Sequence, residues 1–498
     1  MSFDRAVQVV AMIHELLTIG EERDDFIVAG DRRLSRGEVI AWAAQAATAL
    51  APGRPTAFQL PTGPDAVVAY RACWQAGAVP VPLLYADAGR QKEHVFARLG
   101  IDRLFDPADH RPPGDVSSDA SGYSSGHASS DASGYSSSDV SSDASGYSSR
   151  CSLVGVRPDD RALIMFTSGS SGVPKGVIHT QAALAYKVRQ YIRINDLTSE
   201  DVVLFPASVA HVAGLLHGVL IPGAISMKTV LMARWDPSEA LRLIERERVT
   251  YMVGPPPFFT DLMASPDFDP GRTASLRFLS VGGAGVTPAF VHRARDTFGC
   301  IVKRAYGSTE APTVTTFTND EDLELMANTD GRPFAPTQVR IDEHGEIQVH
   351  GPEVSIGYLD PAHTAAAFTP DGWFRTGDLG RIDGDGRLTV AGRLGQGIIR
   401  GGENIDPAEV ESILESHPAV HQAVVLGRPD SRLGERVAAF VVAGDNFDLD
   451  ECRRWFSRSG AARFMTPEWI IPLVDLPKLA SGKPDRSELA RVLEAGIH

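Results

Sequence analysis

Apolar residues with helical spacing alternate with short continuous apolar runs along most of the chain. Ser35 and Glu38 form a capping-box pattern ahead of an alanine-rich amphipathic run to Leu50, which predicts a helix. The runs AFQLP at 57–61 and AVPVPLL at 78–84 predict strands, and AVVAYRACWQAG between them predicts a second helix. This alternation indicates an α/β protein.

The same alternation resumes after Pro158 and changes character near Gly392. Between these points, ALIMF, VVLFP, YMVG and RFLSVGG predict strands, while QAALAYKVRQYIR and PSEALRLIERER predict helices. Asp406 and Pro407 then mark the start of the helix PAEVESILESH, and two strands and a helix at 449–457 follow. The block after Gly392 predicts a small α+β domain of about one hundred residues.

A serine-rich segment at about 111–150 interrupts the pattern. The sequence SSDASGYSS occurs three times, beginning at Ser117, Ser129 and Ser141. Such a segment has few apolar groups to bury, so we expect a flexible tether. A repeating fold with stacked tyrosines is the alternative, although solenoid repeats need an apolar face in each unit.

Charge and cysteine content narrow the class of protein. The 498-residue chain has a formal net charge of -15, which repels nucleic acid and anionic membranes. Its N-terminus lacks the basic start and cleavage site of a signal peptide, and no apolar run is long enough to span a membrane. The four cysteines are far apart and predict neither disulfides nor a zinc site. We therefore expect a cytoplasmic protein, either a monomer or a homodimer.

The stretch FTSGSSGVPKG, beginning at Phe166, is the strongest local signal of chemistry. It does not match the Walker pattern, because Pro174 and Gly176 replace the glycine and hydroxyl residue that flank the lysine there. Glycines that let backbone N–H groups converge, several hydroxyl groups and Lys175 are nevertheless suited to anion binding. The loop by itself leaves phosphate binding and a simple turn as alternatives.

This loop resembles the signature of the adenylate-forming superfamily, which includes acyl-CoA synthetases, peptide-synthetase adenylation domains and firefly luciferase. Further stretches resemble the family's later motifs and occur in the family's order. They are VGGAGV (281–286), YGSTE (306–310), WFRTGDLG (373–380), GRLGQGIIRGGENIDPAEVE (392–411) and LASGKPDR (479–486). The resemblance extends from about Leu34 to Val492 and is closest to acyl- or aryl-CoA ligases.

The resemblance implies a reaction, its cofactors and a domain plan. A carboxylic acid would react with ATP and Mg2+ to give acyl-AMP and pyrophosphate, and CoA would then accept the acyl group as a thioester. The implied fold is α/β, with a large multi-sheet N-terminal domain at 1–392, a hinge at 393–396 and a small mobile C-terminal domain at 397–498.

The resemblance also assigns roles to individual residues. Lys483 would bridge the substrate carboxylate and the α-phosphate, Glu310 would bind magnesium with Thr167, and Thr309 would contact the α-phosphate. His211 would orient the carboxylate or gate its entry, although a buried structural histidine is a competing interpretation. The residues implied in binding ATP or CoA are Thr167, Ser168, Gly169, Ser170, Ser171, Gly172, Lys175, Gly283, Ala284, Tyr306, Gly307, Asp378, Arg393, Arg400, Gly401 and Gly402.

Within this list the resemblance separates three functions. Tyr306 would stack on adenine, whereas Asp378, assisted by Arg393, would bind the ribose hydroxyls. The hydroxyl groups of the 166–176 loop and Lys175 would hold the β- and γ-phosphates. Arg400 and its two neighbouring glycines would contact the pantetheine arm of CoA.

The hinge departs from the family pattern GRxKD. Gly395 stands at the lysine position and Gln396 at the aspartate position. Glutamine retains hydrogen bonding but not charge, and the neighbouring glycines widen the accessible backbone conformations. We expect the domain rotation to be retained but differently balanced.

The region after the strand VVLFP indicates the class of acid. Pro206 replaces the aspartate that holds the ammonium group in amino-acid-activating members, which disfavours an α-amino acid. The expected pocket walls suit a neutral aryl or medium-length acyl group and are His211, Val212, Gly214, Pro257, Gly283, Ala284 and Pro312. A carrier-protein thiol, an amine or a small inorganic nucleophile is the alternative acceptor, as in some natural-product pathways. A non-catalytic nucleotide-binding relative is a third interpretation.

Overall fold

The computed structural model describes most of the chain outside the serine-rich segment. Residues 113–154 lie outside the described part, as do Gln396, Gly402 and positions 168–173 of the signature loop, so the expectations for them have no structural counterpart here. The described residues are 12–85, 90–112, 155–167, 174–395, 397–401, 403–444, 446–479 and 482–495.

The strands group into several sheets along the chain. They are β1 Ile27–Ala29, β2 Arg32–Leu34, β3 Pro55–Phe58, β4 Val79–Pro82, β5 Arg161–Thr167, β6 Lys175–Thr180, β7 Val202–Phe205, β8 Lys228–Leu231, β9 Tyr251–Gly254, β10 Phe278–Gly282, β11 Ile301–Ala305, β12 Thr315–Thr316, β13 Arg332–Pro333, β14 Gln338–Ile341, β15 Glu346–His350, β16 Phe374–Ile382, β17 Leu388–Arg393, β18 Ile398–Arg400, β19 Glu403–Ile405, β20 Val420–Asp430, β21 Gly434–Ala443 and β22 Trp469–Pro472.

Helices connect and cover these strands. The α-helices are Ile13–Leu16, Arg36–Ala47, Pro64–Gln75, Arg90–Leu99, Gln181–Ile194, Val212–Gly214, Ile221–Ile225, Pro237–Glu247, Pro256–Ala264, Pro288–Phe298, Leu323–Asn328, Pro361–Ala367, Pro407–Glu415, Leu449–Ser459 and Arg486–Glu494. Two short 3-10 helices, Pro107–His110 and Arg463–Met465, and a π-helical segment, Leu215–Leu220, complete the set for the described residues.

The largest sheet contains seven of the described strands, in the order β11-β10-β9-β7-β8-β1-β2. All its neighbours are parallel except β1 and β2. Along β7, Val203 and Phe205 pack into one hydrophobic cluster, while Val202 and Leu204 pack into another. Successive side chains of a strand point to opposite faces, so this sheet is buried on both sides and its ligands are expected at the carboxyl ends of its strands.

Sheet partners change at the predicted domain junction. The antiparallel sheet β14-β15-β16-β17 ends at Arg393, and β18, which begins at Ile398, pairs with β19 and β21. Two hydrophobic clusters cover the faces of this second sheet, because Val425 packs into one and Val424 into the other. The mixed α/β architecture with a smaller C-terminal domain is therefore confirmed, while the exact boundaries stay a prediction.

The predicted elements occur close to their expected positions. The capping box of Ser35 and Glu38 is present, and the helix it starts ends at Ala47. The strand β20 is longer than the apolar run that predicted it, because its pairing with β21 continues to Asp430. Within the described residues, no helix combines the length and the apolarity needed to cross a membrane.

Candidate active site

A cavity of about 1940 Å³ lies where the carboxyl ends of the parallel strands meet the C-terminal domain. Its wall includes Gly282 at the end of β10 and Ala305 at the end of β11, together with Asp378 from β16 and Lys483 from the last turn before the C-terminal helix. Open α/β sheets bind ligands at this edge. The wall contains residues from the signature loop and from each of the five further motifs, so all six motifs converge on one space.

Tyr306 and Asp378 form a hydrogen-bonded pair in the cavity wall. The Tyr306 hydroxyl donates to Asp378 Oδ2 at 2.8 Å, and Arg393 Nε lies 3.7 Å from Asp378 Oδ1. Asp378 and Arg393 are cross-strand partners in β16 and β17, so the hairpin register places them together. Burial raises the pKa of Asp378, whereas the Tyr306 hydrogen bond and the Arg393 charge oppose the rise.

The turn after Tyr306 is tightly packed and requires glycine. A Cβ atom added to Gly307 would lie 2.4 Å from the backbone nitrogen of Thr313. Thr313 itself has a φ of +46°, an uncommon conformation for a β-branched residue. The Lys187 ammonium group donates to the Thr313 carbonyl at 2.9 Å, which holds this strained turn in place.

Lys187 belongs to a buried polar network behind the cavity. Its ammonium group lies 3.4 Å from Glu353 Oε1, and Glu353 also accepts from the Thr337 hydroxyl at 2.7 Å. Burial lowers the pKa of Lys187 to about 8, although the negative charge of Glu353 acts to raise it. No motif in the sequence indicated this network, because its members are far apart along the chain.

Glu310 lies beside the two strands that carry the signature loop. The Tyr358 hydroxyl donates to Glu310 Oε1 at 2.7 Å, and Lys175 Nζ lies 5.8 Å from the centre of the Tyr358 ring. Lys175 pairs across the hairpin with Thr167, so both ends of the loop enter the cavity wall. Sequence reasoning missed Tyr358, since a tyrosine outside the quoted motifs carries no signal of its own.

The turn that carries Lys483 is packed against the N-terminal domain. Gly482 has a φ of +80°, and a Cβ atom there would lie 2.3 Å from the Phe258 ring. A Cβ atom on Gly283 would lie 3.5 Å from Lys483 Nζ, so the ammonium group reaches the end of β10. Burial, assisted by the Arg393 charge, lowers the pKa of Lys483, and Asp378 opposes this shift.

His211 lies in the same cavity wall as Lys483. It is the N-cap residue of Val212–Gly214, and its carbonyl accepts from Leu215 N at 2.8 Å. Burial and the nearby Lys483 charge lower the pKa of His211 to about 4. The imidazole is therefore neutral near pH 7, so it can hydrogen-bond a carboxylate but cannot neutralise its charge.

Most of the predicted acid-pocket walls line the cavity, with one correction. The residues found there are His211, Val212, Pro257, Gly283, Ala284 and Pro312. Gly214 is absent from the described wall because it is packed against the preceding turn: a Cβ atom on it would lie 2.3 Å from the Ser208 carbonyl oxygen. Gly214 therefore allows the helix to approach that turn rather than shaping the pocket surface.

The predicted CoA contacts lie elsewhere. Arg400 and Gly401 are not among the described residues of the cavity wall, and Arg400 forms an ion pair with Glu468 at 2.7 Å. Gly402, the third predicted CoA contact, lies outside the described residues, as do the predicted ATP contacts of the signature loop Ser168, Gly169, Ser170, Ser171 and Gly172.

Sequence comparisons match both parts of the chain to one family. Residues 20–359 match the AMP-binding enzyme family, and residues 409–483 match the AMP-binding enzyme C-terminal domain. A medium-chain fatty-acid–CoA ligase of Escherichia coli K12 is 33% identical over 448 residues, which are 86% of this chain and 79% of the relative. A feruloyl-CoA synthase of an Amycolatopsis species is 33% identical over 459 residues, which are 89% of this chain and 90% of the relative.

Solved structures support the same fold. The anthranilate CoA ligase AuaEII in complex with anthranoyl-AMP matches with a TM-score of 0.80 at 17% identity, over 100% of this chain and 98% of that one. ATP-bound MatB from Rhodopseudomonas palustris matches with a TM-score of 0.77 at 24% identity, over 98% of each chain. The resemblance to adenylate-forming enzymes is confirmed, and the chain belongs to the AMP-binding enzyme family.

Proposed function

We propose that this protein uses ATP to convert a small, largely apolar carboxylic acid into its acyl-AMP, releases pyrophosphate, and then transfers the acyl group to CoA. The observation that carries the proposal is the position of Lys483. This lysine comes from the C-terminal domain, yet its side chain reaches Gly283 in the cavity whose wall also contains Asp378 and Glu310. The relatives named as CoA ligases support the reaction class, an AMP-forming acid–thiol ligase.

The cavity fits a nucleotide. Asp378 offers a half-buried carboxylate whose second oxygen is free of the Tyr306 hydrogen bond and can accept from ribose hydroxyls. Gly283, at φ +78°, and Gly307 keep two backbone segments free of side chains beside this carboxylate. We assign Tyr306, Gly307 and Ala284 to the base and sugar, and Thr309 to the α-phosphate.

Magnesium fits the acidic side of the same space. No cluster of three or more histidine, cysteine or carboxylate ligands occurs in the part of the chain that the structure describes. Magnesium bound with ATP needs only one or two protein ligands, because water and phosphate oxygens complete its coordination. We assign Glu310 and Thr167 to this ion, which would neutralise phosphate charge, and Lys175 to the outer phosphates.

Lys483 supplies the charge that the first half-reaction requires. Attack of a carboxylate on the α-phosphate brings two anions together, and their repulsion is large in a water-poor cavity. The Lys483 ammonium group, placed between them, would stabilise the charge that develops. We infer that neutral His211 orients the incoming carboxylate without competing with Lys483 for it.

The second half-reaction requires a different face of the C-terminal domain. Arg400 and Gly401 lie away from the cavity wall while Lys483 occupies it. We propose that the domain turns about residues 393–396, within the boundaries 1–392 and 397–498, so that the 400–402 segment guides the pantetheine arm. Gly395, at φ +73°, has the backbone freedom that such a hinge needs.

The acid end of the cavity supports a neutral aryl or medium acyl substrate. Its wall includes Val212, Pro257 and Leu216, which offer apolar surface. Three cysteines of the described chain, Cys73, Cys300 and Cys452, are buried free thiols, which supports our proposal of a reducing cytoplasmic location.

Pyrophosphate release and product mass test this function together. We expect acid-dependent pyrophosphate release with ATP and Mg2+, and a CoA thioester when CoA is present. Acid-dependent release without a thioester would contradict CoA as the acceptor and favour a carrier-protein thiol, an amine or an inorganic nucleophile. No release with a broad panel of aryl and alkyl acids would contradict the enzymatic function itself.

A further inference from the structure

The turn that presents Lys483 is closed by its own backbone. Lys478 and Pro484 form an isolated antiparallel bridge at its two ends, and Leu479 N donates to the Lys483 carbonyl at 2.8 Å. Gly482 N donates to the Leu479 carbonyl, also at 2.8 Å. Lys478 and Lys483 therefore belong to one small unit, which we call the Lys483 turn, and a contact that holds Lys478 also restricts the backbone position of Lys483.

Lys478 is held by a carboxylate from the other side of the proposed hinge. Its ammonium group donates to Asp261 Oδ2 at 2.8 Å and to Asp261 Oδ1 at 3.0 Å. The two side chains are only 16% and 18% exposed, so water and salt screen this ion pair less than a surface pair. Asp261 lies in the helix Pro256–Ala264, which follows β9 of the seven-stranded sheet. The pair therefore joins the Lys483 turn to the N-terminal domain.

Trp235 orients the Asp261 carboxylate and supports the surface beside it. Its indole N–H donates to Asp261 Oδ2 at 2.8 Å, and its ring centre lies 4.7 Å from that of Phe258. Phe258 covers Gly482, where an added Cβ atom would lie 2.3 Å from the ring. The helix thus contacts the turn twice, through a charge at Lys478 and through an aromatic ring at Gly482. Two separate contacts restrict both the position and the orientation of the turn.

The ion pair itself lies outside the cavity. Lys483, Leu479 and Phe258 line the wall, whereas Asp261 and Lys478 are not among its described residues. The pair can therefore affect the reaction only through the turn and not by touching a substrate. Placement of this kind has a large effect on rate, because a misplacement of about 1 Å at a reacting group can cost about 100-fold.

We propose that Asp261 and Lys478 are positioning residues for acyl-adenylate formation, because their ion pair holds the Lys483 turn in the cavity. The pair joins segments on the two sides of residues 393–396, so it breaks when the C-terminal domain turns for thioester formation. It should therefore favour the first half-reaction and oppose the second. This inference rests on the proposed function, because it assumes that Lys483 serves adenylation and that the domain then turns.

The rates of the two half-reactions in the full-length protein test this inference. Pyrophosphate release is measured with ATP, Mg2+ and the acid that the parent enzyme uses fastest in a panel of aryl and alkyl acids. We expect Asp261→Asn and Lys478→Met to lower kcat for this release about tenfold. The KM for ATP and for the acid should stay within about twofold, because neither side chain touches a substrate. Thioester formation from a supplied acyl-adenylate and CoA should be unchanged or faster, because the lost contact opposes the turned position.

A conservative variant and a double-mutant cycle assign the effect to the ion pair. Lys478→Arg keeps the charge and can bind the Asp261 carboxylate through two N–H groups, so its pyrophosphate release should be within about threefold of the parent rate. The double variant Asp261→Asn, Lys478→Met should be no slower than the slower single variant, because each change already removes the same contact. Independent effects would multiply to about 100-fold and would overturn the inference.

Asp475→Asn is the matched control. Asp475 Oδ2 also accepts from Lys478, at 3.2 Å, but it belongs to the same segment as Lys478 and its side chain is 63% exposed. An exposed pair contributes little, and the contact with Asp261 is left intact, so both half-reactions should stay within about twofold of the parent enzyme. A tenfold loss of pyrophosphate release in this control would overturn the inference, because the contact between the domains would then not be the cause.

The outcomes separate this inference from the proposed function. Equal losses in both half-reactions of Asp261→Asn and Lys478→Met would indicate general damage to the fold, which overturns the inference and leaves the ligase function intact. Unchanged pyrophosphate release in both variants would do the same. Thermal unfolding shows whether each variant is folded, and if Asp261→Asn is not, the comparison of Lys478→Met with Lys478→Arg still decides. No pyrophosphate release by the parent enzyme with any acid would overturn both.

Discussion

The nucleotide end and the acid end of the cavity differ in the chemistry of the side chains that line them. The end that we assign to the nucleotide is made of charged side chains from several elements: Asp378 from β16, Glu310 from the segment after β11 and Lys483 from the turn before the last helix. The end that we assign to the acid is made of an apolar helical segment and buried aromatic side chains around His217, whose pKa burial lowers to about 3. Because a charge acts on any substrate whereas packing and single hydrogen bonds distinguish between substrates, we expect changes at the nucleotide end to affect all acids alike.

The largest expected effect is that of Lys483→Ala. Loss of a charge-stabilising contact of this kind costs on the order of 10²- to 10³-fold in rate. Acid-dependent pyrophosphate release should therefore fall by about this factor, and by the same factor for every acid that the parent enzyme uses. Thioester formation from a supplied acyl-adenylate and CoA should be retained, because we propose that this half-reaction uses a different face of the domain.

Arg491→Ala is the matched control for Lys483. It removes an exposed cation from the last helix of the same domain, where the Arg491 side chain is 68% exposed. Its pyrophosphate release should equal that of the parent enzyme. An equal loss of rate in both half-reactions of Lys483→Ala would contradict the proposed domain rotation. A loss of pyrophosphate release that differs from one acid to another would contradict the division of the cavity into a nucleotide end and an acid end.

Asp378→Asn should have the next largest effect. The change removes the negative charge that we assign to the ribose hydroxyls, and a hydrogen bond to a charged group contributes about 1.5–3 kcal/mol. The KM for ATP should therefore rise by about 10- to 100-fold, whereas the KM for the acid should change little. Asp385→Asn, in the exposed turn of the same hairpin, is the control and should leave both constants unchanged. A rise in the KM for the acid instead would contradict the assignment of Asp378 to ATP.

The pH profile gives a smaller, graded effect. The Lys483 ammonium group is positive below its pKa and neutral above it, and burial together with Arg393 lowers that pKa. Adenylation should thus decline with rising pH before an ordinary lysine would lose its proton, by about tenfold per pH unit beyond the pKa. Lys483→Arg should be slower near neutral pH but lack this alkaline decline, because arginine stays protonated. The same decline in Lys483→Arg would assign it to another group.

The sequence predicted the nucleotide end better than the acid end. Tyr306, Asp378, Glu310 and Lys483 occur in short motifs whose order identifies the family. The small C-terminal domain was predicted from its capping residues and strand runs. These features are local in sequence, so a reading of short windows can find them.

The acid end depends on contacts between distant segments. Tyr191 and His217 meet only because the helix 181–194 packs beside the segment 212–225, and neither has a motif around it. Gly214 was predicted as a pocket wall, yet the backbone at Ser208 occupies the space that a side chain on Gly214 would fill. Side-chain direction in a tightly packed helix follows from tertiary packing, which the local pattern does not contain.

The smallest expected effect is that of Tyr306→Phe, which tests how two side chains at the nucleotide end act together. Tyr306→Phe removes the 2.8 Å hydrogen bond to Asp378 while leaving the ring for the adenine base. This hydrogen bond affects ATP only through the orientation of Asp378, so part of its roughly 1.5–3 kcal/mol should be lost from ATP binding, and the KM for ATP should rise about fivefold. If the hydroxyl acts only by orienting Asp378, the same change in an Asp378→Asn background should have less effect, and the coupling in this double-mutant cycle measures the interaction. Fully additive changes would show that Tyr306 contacts the nucleotide through its hydroxyl directly, and the Tyr306–Asp378 pair would then be two separate contacts rather than one unit.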